Sequence, residues 1–129
     1  MSYVVVILGG GLGSALRFAL GNGLAARYGN TFPLGTLVVN VSGCMLIGFI
    51  AAISGPDGRV ALGTQVRQFL MIGILGGYTT FSSFSLHTLA LAKDGAWWLA
   101  GLNILLSVAL CLAGVWLGAA TAQFINHWK

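Results

Sequence analysis

The chain has 129 residues, 57% of them hydrophobic and only 6% charged, with a net charge of +4. A soluble domain carries about 25% charged residues, so this composition excludes a water-soluble fold and predicts an all-α integral membrane protein. The six basic residues are scattered rather than gathered into a stripe, which argues against nucleic acid as a partner.

Apolar runs of about 20 residues predict four spans in a single membrane domain covering 1–129, at about residues 3–26, 34–54, 66–92 and 96–124. The N-terminus has no basic region and no obvious cleavage site, so the first run reads as a retained span. Its run GGGLGS (Gly9 to Ser14) resembles a dinucleotide fingerprint only superficially, because Ser14 takes the third glycine position and no acid follows about 20 residues on. Arg17 lies inside this span and is expected to snorkel or to line a cavity. The segment RYGNTFP leads to the second span, which opens after Pro33 and carries Asn40 and Ser42. GPDGRVALGTQ leads to the third span and KDG to the fourth.

The third span holds GGYTTFSSFS, Gly76 to Ser85: two glycines, five small hydroxyls and two phenylalanines three apart. Adjacent glycines and β-branched threonines weaken a helix, and a broken membrane helix needs partners for its freed carbonyls. A break here would turn the carbonyls of Gly76 or Thr79 inward, and two such breaks meeting across an antiparallel dimer would surround one monovalent cation. A continuous helix with glycine packing is the alternative. Phe81 and Phe84 share a helix face, and their positive ring edges suit an anion. In the fourth span Asn103, Ser107 and Cys111 are spaced i, i+4, i+8 on one face. Cys44 and Cys111 have no CxxC spacing and read as packing residues rather than a disulfide or metal pair.

No Asp or Glu lies within a span; Asp57 and Asp94 are in loops. Proton-coupled pumps need an intramembrane carboxylate, and no Walker motif is present, so a passive pathway lined by neutral donors fits best, and an anion is its natural cargo. The competing reading of these hydroxyls is that they bond back to their own helices or glue helices together. An enzyme is not expected. With the N-terminus inside, the cytoplasmic side carries Arg59, Arg67 and Lys129 and the other side Arg27 and Lys93, three against two. So small a bias reads either as a crude count that hides a real preference or, as the favoured reading, as insertion in both orientations and an antiparallel, two-fold dimer. The small-xxx-small pairs Gly9/Gly13, Gly73/Gly77 and Gly114/Gly118 mark close helix contacts and point to a tightly packed oligomer.

Three blocks, GGGLGSALRF, FPLGTLVVNVSG (Phe32 to Gly43) and GGYTTFSSFS, resemble the Fluc (CrcB-like) family of small fluoride channels, and the resemblance covers essentially the whole chain. It implies a dual-topology antiparallel homodimer of four-helix subunits, the third helix broken near its middle, with two fluoride pores in the inner membrane and a role in releasing cytoplasmic fluoride. It implies a sodium ion at the dimer centre on the backbone carbonyls of Gly76 and Thr79, pore phenylalanines Phe81 and Phe84, a pore asparagine Asn40, a vestibule arginine Arg17, and a polar track including Thr80, Ser83 and Ser107. His87 stands where many members carry glutamate. The alternatives are a dual-topology exporter of small cations or other small molecules and a non-conducting accessory subunit.

Overall fold

The structure, a computed structural model, describes residues 2–128; Lys129, counted in the charge balance, lies outside them. Every regular element among the described residues is helical. Four helices are long and apolar enough to cross a membrane: Ser2–Tyr28, Leu34–Ile53, Thr64–Lys93 and Trp97–His127. The first, second and fourth are continuous and are named α1, α2 and α6. The third is composite. It begins as α3 (Thr64–Arg67), widens into a π-helical stretch (Gln68–Leu75), and returns to one α turn, α4 (Gly76–Tyr78). Thr79 and Thr80 are extended, and α5 (Phe81–Lys93) completes the span. The break therefore falls three residues beyond Gly76, at the threonines rather than at the glycines.

Helix ends follow local chemistry. Gly29, with φ of 78°, stops α1 while its N–H still bonds the Ala25 carbonyl. Gly95, with φ of 77°, closes α5 in a Schellman turn: Gly95 N–H donates to the Ala92 carbonyl and Ala96 N–H to the Leu91 carbonyl. That turn sets α6 antiparallel to α5 with almost no loop.

Two seams hold the chain together. In the first, α1 packs on the upstream half of the third helix, backbone against backbone. A Cβ at Gly9 would lie 2.8 Å from the Phe69 carbonyl oxygen, one at Gly77 2.5 Å from that of Gly10, and one at Gly13 would overlap that of Ile74. In the second seam α2 packs along α6. Gly48 meets the Val115 carbonyl, and Gly114 and Gly118 meet the carbonyls of Val41 and Met45. Lipid tails are as apolar as leucine, so close van der Waals approach, not expulsion from water, favours such contacts. All three glycine pairs singled out in the sequence thus serve contacts inside one chain, and they carry no information about an oligomer. The large apolar side chains Ile7, Leu16, Leu105, Leu112 and Trp116 point outward, as a lipid-facing shell would.

At one end of the bundle the loop between α2 and α3 is tied down by arginines. Arg67 Nη1 donates to the Ser54 carbonyl at 3.0 Å. Arg59 donates through Nη1 to the Ile125 carbonyl at 3.1 Å, and its N–H reaches Asn126 Oδ1 at 3.0 Å. Both cations cap carbonyls of the loop and of the end of α6, where the helix dipole favours positive charge.

Candidate functional site

The break is held open by α2. Asn40 Oδ1 accepts the Thr80 N–H at 2.7 Å, and Asn40 Nδ2 donates to the Thr80 carbonyl at 3.0 Å. One amide therefore imitates a strand partner for a single extended residue. Thr80 then starts α5 as its N-cap: its Oγ1 accepts the Ser83 N–H at 3.2 Å and lies 3.1 Å from Ser83 Oγ. Two carbonyls lose their helical donors in this arrangement. Thr80 N–H would bond the Gly76 carbonyl in an unbroken helix, and Ser83 N–H would bond that of Thr79. Both are diverted, to Asn40 and to Thr80 Oγ1. Oxygen atoms freed in this way are the donor set that a hard monovalent cation accepts.

The candidate residues line two cavities that share Thr80. The first, about 420 Å3, is walled by Asn40, Gly76, Thr79, Thr80, Phe81, Phe84 and Ser107 among others. Phe81 and Phe84 lie together, ring centroids 5.2 Å apart and planes tilted by 53°. They differ in burial: Phe84 is 8% exposed and Phe81 77%. The second cavity, about 450 Å3, holds Arg17, Ser14, Thr36, Ser83 and His87 as well as Thr80. A third, about 600 Å3, opens at the α1–α2 and α5–α6 turns and shares Thr36 and His87 with the second. Together they form a chain of spaces from that end of the bundle inward to the break. Among the described residues Arg17 is the only fixed charge lining the inner two, and neither Asp57 nor Asp94 reaches them. Asp94 lines only the outermost space.

The hydroxyls divide. Ser42, Thr79, Ser85 and Thr88 each bond a carbonyl one turn back in their own helix, as the competing reading holds. Thr80 and Ser83 bond each other at the start of α5, beside the break, and Ser107 lines the phenylalanine cavity while 7% exposed. Asn103, on the same α6 face as Ser107, is diverted: its Nδ2 donates to Thr88 Oγ1 at 2.8 Å, between α6 and α5. Two contacts escaped sequence reasoning. Thr36 Oγ1 pairs with His87 Nδ1 at 3.1 Å, and the Tyr78 and Ser42 hydroxyls meet at 2.9 Å. Thr36 stands four residues before Asn40, on the same helix face, and that spacing was the available signal.

A membrane helix broken by a side-chain clasp, flanked by largely apolar cavities carrying a few neutral polar groups and one cation, defines a multi-pass membrane protein built to pass or hold a small ion. The chain belongs to the CrcB-like family: the family model described as CrcB-like protein, Camphor Resistance (CrcB), matches residues 4–119. It is 54% identical over 127 residues to the fluoride-specific ion channel FluC of Opitutus terrae, covering 98% of this chain and 96% of that protein. The FluC proteins of Rhodospirillum rubrum and Paramagnetospirillum magneticum are 53% and 52% identical over 127 residues, covering 98% of this chain and 98% and 99% of theirs.

Proposed function

We propose that this chain forms a fluoride-selective channel that lets cytoplasmic fluoride leave a bacterial cell passively across the inner membrane. The observation that carries the reading is the Asn40–Thr80 clasp beside the Phe81–Phe84 pair, in a cavity with no carboxylate. The names of the FluC relatives point to the same ion. A small, strongly hydrated anion needs replacement donors along its route, yet must not be bound too tightly to leave. Arg17 supplies attraction at the entrance. Asn40 keeps one amide N–H beyond the one given to Thr80, and Ser83 and Ser107 add hydroxyls. Ring edges of Phe81 and Phe84 offer weak positive potential where a full charge would trap the ion.

One chain leaves Phe81 largely uncovered and its cavity open. An antiparallel second copy closing that wall accounts for both, giving a dual-topology homodimer with two pores. In that dimer the Gly76 and Thr79 carbonyls of both subunits meet near the axis and hold a structural sodium ion. A sodium ion held there would supply fixed positive charge at the break. A small-cation exporter is disfavoured by the absence of acid from both inner cavities.

The test is efflux from liposomes containing only this protein, read with a fluoride electrode and repeated with chloride. Rapid fluoride release and no chloride release are expected; equal release of both, or none, overturns the reading. In the same assay Phe81→Ile should slow fluoride about tenfold, equivalent to roughly 1.4 kcal/mol of lost ring-edge contact. Phe81 packs little within its own chain, so the subunit fold should be unchanged, and unmoved elution on size exclusion would show that the dimer is still assembled. Labelling of a loop cysteine from either side of the vesicle should find equal numbers of each orientation; a single orientation removes the antiparallel dimer.

A further inference from the structure

The outermost cavity and the Arg17 cavity have Gly21, Gly35, Thr36 and His87 in common. The two glycines pack main chain on main chain: a Cβ on Gly35 would fall 2.9 Å from the Gly21 carbonyl oxygen. The junction therefore takes its side-chain chemistry from Thr36 and His87, which meet at 3.1 Å through Oγ1 and Nδ1. Among the described residues neither makes another side-chain hydrogen bond. The pair couples charge to donor number. Either tautomer of the neutral ring leaves one free donor, Nε2–H or the Thr36 hydroxyl. The imidazolium leaves both free, because its Nδ1–H must then donate to Oγ1, and it adds a full positive charge.

We propose that Thr36 and His87 form a fluoride-binding station at this junction, neutral in alkaline solution and cationic in acid, so that acid strengthens it. Two hydrogens presented by neighbouring atoms suit the smallest halide, whose charge is the most concentrated. The station stands outward of Arg17, which lines the second cavity and not the outermost. An anion held first by a switchable cation and then by a permanent one is led inward without a single deep trap. Few charged groups surround the ring. Arg17 faces the shared space from α1, and Asp94, at the end of α5, lines the outermost cavity. Among the described residues α2 and α6 present no titratable side chain to either space, and Arg27 and Lys93 line neither. Imidazole is the side chain that changes charge between about pH 5 and 8; carboxylates titrate below that window and guanidinium above it. His87 is therefore the group that switches within it. Hydrogen fluoride crosses lipid more readily as the surroundings acidify, so the station gains strength as the fluoride load rises. That it speeds efflux rests on the channel reading; that it binds does not.

The test has two readouts. In detergent, histidine-selective NMR of the intact chain follows the His87 ring against that of His127, which is exposed at the far end of α6. At a fixed pH of about 7, sodium fluoride should move the His87 signal toward its acid position, because an anion that prefers the charged ring draws a proton onto it. No movement, an equal movement with sodium chloride, or an equal movement of His127 overturns the station. In liposomes held at the same pH on both sides, efflux is compared at about pH 5.5 and about pH 8, after subtraction of the hydrogen fluoride leak of protein-free vesicles. The intact chain should run about tenfold faster at the acid end. His87→Gln can still bond Thr36 but cannot charge, and it should lose that gain when compared with its own alkaline rate. Asp94→Asn should keep it. A flat profile in the intact chain, a full gain in His87→Gln, or a gain lost in Asp94→Asn overturns the role of His87 in efflux. A chain that passes no fluoride at either pH sinks the channel reading, while the NMR response still decides the station.

Discussion

Replacing Asn40 by aspartate is expected to cut fluoride efflux about 100-fold, from roughly 3 kcal/mol of repulsion between a carboxylate and an anion about 5 Å away at an effective dielectric near 20. Structure adds a second reason. The Nδ2 that donates to the Thr80 carbonyl at 3.0 Å becomes an oxygen, so two acceptors face each other across the break. The two causes separate with Asn40→Ala. Alanine introduces no charge but leaves the Thr80 N–H and carbonyl without their partner, at about 2 kcal/mol for unsatisfied buried groups. Alanine should lower the unfolding temperature more than it lowers flux per folded channel, and aspartate should do the reverse. Equal flux losses in both would assign the effect to the clasp alone, and normal flux in the aspartate variant would remove Asn40 from the route.

Gly13→Ala is expected to be among the most damaging small changes in the chain, with a loss of about 3 kcal/mol or more from overpacking. The added methyl overlaps the Ile74 carbonyl oxygen and would sit 2.8 Å from the Tyr78 nitrogen. Backbone, unlike a side-chain tip, cannot turn aside, so α1 must move away from the residues that lead into the break. Gly11→Ala on the same helix has nothing within 4 Å and is the matched control. It should match or slightly exceed the parent, since alanine favours helix over glycine by up to about 1 kcal/mol. Thermal unfolding in detergent, read by size exclusion after heating, compares the two. Similar midpoints would mean that the seam gives way more easily than backbone contact implies.

The sequence made the four helices legible through the length of its apolar runs, and it marked the third as irregular through Gly76, Gly77, Thr79 and Thr80. The break lies at Thr79–Thr80 because that is where Asn40 reaches, and a partner 40 residues away leaves no local trace. The π-helical stretch Gln68–Leu75 is equally silent, since QFLMIGIL reads as ordinary apolar helix. Spacing showed that Gly9, Gly13, Gly73 and Gly77 favour close approach. It did not show that these glycines bring α1 against the third helix within one chain, so the same spacing cannot be read as the mark of an oligomer. Polar groups were harder still. Ser107 and Asn103 share a face of α6, yet one lines the cavity and the other bonds Thr88, a difference set by what α5 presents.

In a water-soluble protein polarity decides which residues go inside. This chain is sorted by bulk instead: hydrogen-sized side chains line the two seams, while isoleucine, leucine and tryptophan form the outer coat. Tolerance to change should follow the same order. Exchanging one large aliphatic for another on the coat alters only which carbon meets the lipid, whereas at Gly13, Gly48 or Gly118 even the smallest enlargement forces two main chains apart. A saturation scan of this protein would therefore find its most restrictive sites at its least conspicuous residues.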